Sequence, residues 1–334
     1  MLIYAGIDEA GYGPLLGPLC IAATVWEVDS TAASTDAPDL WALLRAAVCK
    51  RPTDRKSRVA IADSKKLKPP KEEDGALDQQ LRHFERSVLA CLQAASPTLS
   101  LATDSDLLAH LGAAPPAGTP WYEGSSPIPC CHDAAAVRIA ANMLTQAMSA
   151  KSVRLNACRC IAIDAAELNS AHQQVGNKAA ISGHAVWTLI CSIVATHGSR
   201  VSHIRLALDR QGGRIRYMSD IRNNLPDWSI QVLQEDESGS RYLLRATLNG
   251  APRTISLTFE SRSEERHLPI ALASMVAKYT RELWMARMNS FFGARIPGLV
   301  PTAGYVKDGR RFVSEIEPEL ARLGTARDTL IRSV

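Results

Sequence analysis

Residues 2–19 constrain the fold of this chain more than any other stretch. They begin with a short apolar run, Leu2 to Ile7, which predicts a buried strand almost at the first residue. Two carboxylates, Asp8 and Glu9, follow the run, and the segment after them is rich in glycine and proline, which predicts a turn before a second strand over 19–28. Adjacent residues of a regular strand face opposite sides of a sheet, so we expect the chain to twist or turn if both acids serve one site.

The glycines after the two acids favour such a turn. Gly11 and Gly13 lack a Cβ, so the backbone there can turn tightly and approach a phosphate or a ribose closely. An Asp-Glu pair by itself is equally typical of an ordinary hairpin with exposed acids.

The complete string Asp-Glu-Ala-Gly-Tyr-Gly-Pro, with Gly17-Pro18 shortly after it, resembles the first motif of the type 2 ribonucleases H, the ribonuclease HII/HIII family. In that family an Asp-Glu pair precedes Gly-x-Gly-Pro and a second Gly-Pro turn. The sequence departs from the family at Tyr12, where the family has Arg or Thr, and at Arg210, where ribonuclease HII usually has Gly.

A second string, Asp-Ser-Lys-Lys-Leu at 63–67, follows the second predicted strand. On its own it predicts a helix N-cap followed by solvated lysines. It also matches a signature of the same family in the expected order, and the resemblance places Ser64, Lys65 and Lys66 near the phosphates of the substrate.

A further apolar strand is predicted over 203–209, and it ends on another acid, Asp209. A core strand followed by a surface turn would have the same pattern. The resemblance, however, places the third catalytic carboxylate of the family at this position. Three more strands are predicted over 228–232, 242–248 and 254–259.

The fourth acid of the resemblance has four candidates near the expected position: Glu260, Glu264, Glu265 and Glu282. The family's metal-binding acid precedes the Ser of its Ala-Ser-Ile motif by ten positions, and ten positions before Ser274 is Glu264. An acid at 282 would lie roughly 12 Å further along a helix, at about 1.5 Å per residue, and we expect Glu282 to be solvated or to cap a helix. The helix itself is predicted as amphipathic over 269–292.

The remaining match is Gly304-Tyr305, in a loop rich in glycine and proline. A substrate-contacting Gly-Tyr occurs there in the family, which implies that Tyr305 packs on a sugar. A surface turn with a half-buried tyrosine would give the same short pattern.

Composition bounds the class of protein. The 334 residues are 46% hydrophobic, enough for a substantial core, and the net charge of +4 restricts any nucleic-acid surface to a local patch. No apolar run reaches the roughly 18 residues that a membrane span needs, and no signal-peptide pattern opens the sequence, so we expect a cytoplasmic protein. The eight cysteines are then expected to be reduced.

One group of cysteines has the residue types of a metal site. Cys130, Cys131 and His132, with Cys158 and Cys160, could bind a cation, but they lack the C-x2-C spacing typical of structural zinc. Buried, reduced thiols are the alternative.

The resemblance implies an α/β fold, a ribonuclease H-like mixed sheet flanked by helices, in one domain over 1–334. Local patterns predict a helix over 39–49, a strand over 98–102 and a loop over 104–132. Beside the resemblance we expect insertions near 30–58 and 104–160 and a C-terminal helical extension over about 268–334. It further implies an endonuclease that hydrolyses the RNA strand of RNA–DNA hybrids, leaving 5′-phosphate and 3′-hydroxyl ends.

The implied cofactor is Mg²⁺ or Mn²⁺, held as two ions by Asp8, Glu9, Asp209 and Glu264. Gly11, Tyr12 and Gly13 would recognise the ribose. The RNA–DNA hybrid is the expected partner. We expect a monomer, and the resemblance implies neither a protein partner nor a membrane. Two alternatives stay open: a ribonuclease H-like nuclease acting on another nucleic acid, and a non-catalytic nucleic-acid-binding protein.

Overall fold

A computed structural model describes residues 1–29, 37–51, 58–63, 67 and 77–333 of the chain. The strands in these residues are β1 (Leu2–Ala10), β2 (Leu19–Val28), β3 (Val48–Cys49), β4 (Val59–Ala60), β5 (Val153–Ile163), β6 (His203–Asp209), β7 (Ser229–Asp236), β8 (Gly239–Leu248) and β9 (Ala251–Glu260). The helices are α1 (Leu40–Leu43), α2 (Leu77–Ala95), α3 (Asp104–Leu111), α4 (Ala134–Ala150), α5 (Ala165–Val175), α6 (Lys178–His197), α7 (Met218–Asn224), α8 (Leu268–Gly293) and α9 (Val306–Arg322).

A mixed sheet of seven strands forms the centre, in the order β5-β2-β1-β6-β9-β8-β7. Strand β1 runs antiparallel to β2 and parallel to β6, and β6 runs parallel to β9. The carboxyl ends of β1, β6 and β9 therefore lie at the same edge of the sheet. Helices cover both faces, which confirms the predicted mixed sheet flanked by helices and its C-terminal helical part.

Alternate residues of β1 enter two different cores. Ile3, Ala5 and Ile7 pack with α6 on one face, whereas Tyr4 packs with α8 on the other. Gly6 lies on the α8 face, and a Cβ at this position would be 2.2 Å from the backbone nitrogen of Ile270. The missing side chain thus lets the start of α8 lie directly on the strand.

Helix α8 is the central helix of its face. It was predicted as amphipathic, but the structure buries it on nearly all sides, because α2 and the 3-10 turn Pro120–Tyr122 cover the side that faces away from the sheet. The buried set includes Arg281 and Glu282, which are both under 5% exposed. The prediction that Glu282 is solvated or caps a helix is therefore wrong.

Helix α6 is long and apolar enough to span a membrane by length and composition alone. Its mean hydropathy is 1.5, yet more than half of its apolar window is buried inside the fold. Ile190 and Ile193 pack against β1 and β2 in the core on that face. Core helices of folded domains meet the same criteria.

Three local predictions fail. The helix expected over 39–49 covers only Leu40–Leu43, and β3 replaces its end. No strand forms over 98–102. The next residue, Thr103, makes a single bridge to Pro127. The loop expected over 104–132 begins with helix α3, which Thr103 and Asp106 start with a capping box. The prolines after residue 114 led to the prediction of a loop over the whole segment, although the helix ends before them.

Candidate active site

A cavity of about 220 Å³ opens at the edge of the sheet where β6 ends. Five carboxylates line it, and they come from β1, β6, the residues after β4 and the turn after β9: Asp8, Glu9, Asp63, Asp209 and Glu264. The four predicted metal ligands thus share one cavity, although up to 256 positions separate them in sequence.

Asp8 and Glu9 reach this cavity from opposite faces of the sheet. Asp8 continues the face of Tyr4 and Gly6, and the Ser274 hydroxyl of α8 donates a hydrogen bond to it. Glu9 continues the face of Ile7, and the Ser182 hydroxyl of α6 donates to its Oε2 at 3.0 Å. No turn is needed between the two acids, because the cavity lies beyond the end of the neighbouring strand β6, where both faces are open.

The electrostatic environment opposes ionisation of Asp8. Burial raises the pKa of Asp8 from 3.8 to about 8, and the hydrogen bonds from Ser274 and the Glu9 amide offset this only in part. The charges of Asp209 and Glu9 also contribute to this raised pKa. Burial also raises the pKa of Glu9, with a smaller contribution from Asp209.

Asp209 ends β6 and lies opposite Glu260 in the register with β9. After β9 the chain reverses at Arg262, whose φ of 54° is in the left-handed region, and a 3-10 turn, Ser263–Glu265, follows. The Ser263 hydroxyl lies 3.4 Å from Oδ1 of Asp209. This turn places Glu264, which is 7% exposed, in the wall of the cavity next to Asp209.

The other three glutamates considered for the fourth position do not line the cavity. Glu260 is paired with His267 at 2.5 Å and Arg266 at 3.2 Å. Burial raises the pKa of Glu260, but the hydrogen bond and charge of His267 and the charge of Arg266 outweigh it, so its pKa is lowered. Glu282 is bound by Arg281 at 2.9 Å inside the core.

One basic residue, Arg210, also lines the cavity. Its guanidinium donates hydrogen bonds to the carbonyl oxygens of Asp236 at 3.1 Å and Glu237 at 2.6 Å. The positive charge is therefore directed toward the turn between β7 and β8. The cavity wall itself carries mostly carboxylate groups, which suit a hard divalent cation.

The glycine-rich loop, residues 11–17, lies next to the cavity. Gly11 and Gly17 have φ values of 84° and 82°, and a Cβ at Gly11 would lie 2.8 Å from Cδ of Arg281. Gly13 is exposed, and a Cβ there would meet nothing within 4 Å. Close packing thus requires glycine at two positions of the loop, and the third faces open space.

Two buried arginines bind the backbone carbonyls of this loop. Arg332 is 2% exposed; it donates from Nε to the Gly17 carbonyl at 2.8 Å and binds the carbonyls of Gly11 and Pro14 as well. Arg281 donates to the carbonyl of Leu16 at 3.3 Å. Every one of these bonds ends on a backbone oxygen, so the two arginines fix the conformation of the loop.

The predicted substrate residues lie along the outer side of the loop. Tyr12 is 40% exposed at the mouth of the cavity, and Nζ of Lys178 lies 5.0 Å from the centroid of its ring. The Gly304 carbonyl accepts hydrogen bonds from Leu15 and Leu16, which brings the 55% exposed Tyr305 to the same surface. Ser64, Lys65 and Lys66 fall outside the described residues.

Sequence reasoning did not select several residues of this site. Asp63 lines the cavity, and its signal was its position directly before Ser64 in a recognised string. Ser182, Ser274 and Lys178 carried no local signal, because long-range packing alone brings them to the acids and to Tyr12.

No protein-family model matches this sequence, and no curated protein matches it. Solved structures do resemble it. The ribonuclease HII of the PCNA:RNase HII complex from Archaeoglobus fulgidus is 13% identical with a TM-score of 0.39, over 99% of this chain and 94% of that chain. Ribonuclease H2 from Pyrococcus horikoshii is 14% identical with a TM-score of 0.35, over 98% and 92%. Bst-RNase HIII in complex with Mn²⁺ is 11% identical with a TM-score of 0.38, over 99% and 66%.

The chain is similar to type 2 ribonucleases H. These are the proteins whose motifs its sequence resembles. At identities below 15% and TM-scores below 0.4, the similarity assigns neither an activity nor a residue role to this chain. Both have to come from its own residues.

Proposed function

We propose that this chain is a type 2 ribonuclease H, an endonuclease that hydrolyses the RNA strand of RNA–DNA hybrids and leaves 5′-phosphate and 3′-hydroxyl ends. The observation that carries the proposal is the convergence of Asp8, Glu9, Asp209 and Glu264 on one cavity, beside a glycine-rich loop that exposes Tyr12 and Gly13. Four buried or partly buried carboxylates in one cavity repel one another and lose solvation, which costs stability and favours a role that uses them.

The donor set suits Mg²⁺ or Mn²⁺, since these cations prefer carboxylate oxygens. Burial and, to a smaller extent, the like charges next to Asp8 raise its pKa, and a bound cation would favour the ionised form. No three of the lining acids hold oxygens that all lie within 4.8 Å of one another in the described structure. Two cations would divide these ligands between them. When bound, such ions supply an activated water and charge stabilisation at the leaving oxygen.

The residues of the chain itself would orient this site. Ser274 and Ser182 hold Asp8 and Glu9 on opposite faces, so each carboxylate enters the cavity in one direction. Asp209 and Glu264 approach from the end of β6 and from the turn after β9. The phosphate to be cleaved would lie between these two pairs.

Preference for RNA requires contact with the ribose 2′-hydroxyl. The backbone around Gly11, Tyr12 and Gly13 would make that contact, since Tyr12 and Gly13 are exposed. Tyr305, which is 55% exposed, would pack its ring on the sugar. Lys178 adds a positive charge next to Tyr12, and we place Ser64, Lys65 and Lys66 on neighbouring phosphates. Phosphate contacts position the duplex and do not read its sequence.

A different nucleic acid is the second candidate substrate, because Tyr12 stands where the family has Arg or Thr. A binding protein without turnover is less well supported, since a site that has lost catalysis has no need of four metal ligands. We further propose that the protein acts as a monomer in the cytoplasm.

The test is a cleavage assay with the same sequence supplied as RNA–DNA hybrid, duplex DNA and duplex RNA, each with Mg²⁺ and with Mn²⁺. We expect metal-dependent cuts within the RNA strand of the hybrid, with products that carry 5′-phosphates. Preferential cleavage of either pure duplex would favour the second candidate. Binding without cleavage under all conditions would overturn the nuclease assignment.

A further inference from the structure

A second group of metal-binding side chains lies away from the cavity, between helix α2 and the loop that precedes α4. It consists of Glu85, Cys130 and Cys131, each of which offers one donor atom within 4.8 Å of the other two. Among the described residues it is the one group of three or more such side chains this close together. Cys158 and Cys160, which the sequence grouped with this pair, are buried in β5 and do not belong to it.

The carboxylate of Glu85 is held in place although it is fully buried. Its Oε1 accepts hydrogen bonds from the backbone nitrogen of Cys130 at 2.7 Å and from the Tyr279 hydroxyl at 3.1 Å. Its Oε2 accepts one from the backbone nitrogen of Cys131 at 2.7 Å. The carboxylate is therefore fixed relative to the two cysteines before any ligand binds.

The two sulfur atoms are close to this carboxylate and to each other. Sγ of Cys130 lies 3.1 Å from Oε1 of Glu85 and 3.4 Å from Sγ of Cys131. A tetrahedral zinc site with ordinary bond lengths has edges of about 3.8 Å between sulfurs and about 3.5 Å between sulfur and oxygen. These two pairs of atoms need to move apart by only a few tenths of an ångström to reach such edges, and the third pair, Sγ of Cys131 and the Glu85 carboxylate, lies within 4.8 Å.

We propose that Glu85, Cys130 and Cys131 bind one Zn²⁺. Both thiols lose their protons to solvent on binding, so one Zn²⁺ enters and two protons leave. Cys130 is exposed, which leaves the fourth position of the tetrahedron open to a water molecule from the solvent side.

Two thiolates and a carboxylate select a different class of cation from the cavity acids. Sulfur ligands favour Zn²⁺ and softer cations, whereas the all-oxygen set of Asp8, Glu9, Asp209 and Glu264 favours Mg²⁺ or Mn²⁺. The proposed zinc site shares no residue with the cavity. It is therefore independent of the nuclease proposal.

The position of the site indicates a structural role. Glu85 belongs to α2, which packs on α4 and α8, and the two cysteines end the loop that leads into α4. A bound ion would join this loop to α2, as a structural zinc joins separate segments of a small fold. We expect it to stabilise the segment around 113–133.

Cd²⁺ is a suitable probe, because its bonds to thiolates give an ultraviolet charge-transfer absorption that carboxylates do not give. We would titrate the full chain with Cd²⁺ under a phosphine reductant and then displace it with Zn²⁺. We expect one equivalent of thiolate-bound Cd²⁺ per chain. Cys130→Ser and Cys131→Ser should each lower the affinity at least 100-fold.

Cys191→Ser is the matched control, because Cys191 is also partly exposed but stands alone on α6. It should bind Cd²⁺ as the unaltered chain does. An absorption in the unaltered chain no larger than in the Cys130→Ser/Cys131→Ser double variant would overturn the proposal. So would equal loss of binding in Cys191→Ser.

A second readout detects the effect on the fold. Zn²⁺ at about 100 times its Kd should raise the Tm of the chain by about 4 °C through preferential binding to the folded state. The double variant should lack this rise, apart from any shift that the cavity acids cause in both proteins. Equal Tm shifts in the two proteins would contradict the assignment.

Discussion

The guanidinium of Arg332 donates two hydrogen bonds to the carbonyl oxygen of Gly17, 315 positions away in the sequence. The same side chain binds the carbonyls of Gly11 and Pro14, and its backbone nitrogen donates to Leu15 at 3.0 Å. The segment around residue 332 thus binds the backbone of the loop that we place against the substrate. A planar guanidinium spreads five donors over three nitrogens and so reaches three separate carbonyls, whereas a lysine has its three donors on one nitrogen.

We predict that Arg332→Ala lowers the free energy of unfolding by about 3 kcal/mol, because it leaves buried carbonyl oxygens without donors. Denaturant unfolding followed by circular dichroism measures this. Arg322→Ala is the control: Arg322 forms a surface pair with Glu319 and its side chain is 66% exposed, so the change should leave the free energy of unfolding close to that of the unaltered chain. Similar losses in both variants would mean that the contacts of Arg332 contribute little.

Arg332→Lys tests the same contacts through function. It keeps the charge but removes two of the five donors and the planar fork that directs them, so the loop should become less ordered while the acids stay in place. We expect KM for the hybrid to rise several-fold with little change in kcat. A fall in kcat at constant KM would instead connect Arg332 to the chemical step.

Asp209→Asn should reduce cleavage to the background of the assay and leave folding and hybrid binding largely intact. Asparagine is nearly isosteric with aspartate, but its neutral amide is a poor ligand for Mg²⁺. Cleavage rate and hybrid affinity would be compared with those of Asp227→Asn, which alters an exposed acid before β7. Turnover at the unaltered rate in Asp209→Asn would remove this residue from the site.

Glu264→Gln should lower metal-dependent cleavage by orders of magnitude, whereas Glu282→Gln should retain most activity per folded molecule. Glu264 lines the cavity, but Glu282 forms a buried pair with Arg281. Removing the charge of Glu282 should therefore cost about 3 kcal/mol of stability. Both variants would be assayed at saturating Mg²⁺ and Mn²⁺, with unfolding measured in parallel. The reverse pattern would move the fourth ligand to α8.

The metal-free protein should lose stability as pH rises from about 4 to about 8. The pKa of Asp8 is about 8 in the folded state and ordinarily 3.8. Between these pH values the folded state therefore holds a proton that the unfolded state has already lost. The free energy of unfolding should fall by up to about 1.4 kcal/mol per pH unit from this group. Denaturant titrations in a chelator at several pH values measure the slope, and Asp8→Asn should flatten it. An unchanged slope in Asp8→Asn would assign the effect to other groups.

Cleavage at a single ribonucleotide within DNA should be weak relative to cleavage of a continuous RNA strand. Members of the resembled family that cut at such junctions carry Arg between the two glycines, and Tyr12 lacks that fork of donors. Tyr12→Arg should raise the ratio of the two rates, and Tyr12→Phe serves as its control. If the unaltered chain cut both substrates at equal rates, Tyr12 would not decide this preference.

Much of the fold follows from local pattern in the sequence. Strands β2 and β6 begin and end at the predicted residues, because a short apolar run bounded by turn residues determines a buried strand. Helix α8 lies within one residue of its prediction. The sequence also determined that Asp8, Glu9 and Asp209 stand at or next to strand ends, where acids can meet at a sheet edge.

The tertiary structure alone decided how these acids are arranged. Local spacing cannot show that the pairing of β1 with β6 ends at Ile7. It therefore could not explain how Asp8 and Glu9 reach one cavity from two faces. Nor could it distinguish a glutamate in the cavity, Glu264, from glutamates held in ion pairs outside it, Glu260 and Glu282. Burial and ion pairing depend on groups that are distant in sequence, and here they are set by the packing of α6, α8 and the segment of Arg332 around the carboxyl ends of the central strands.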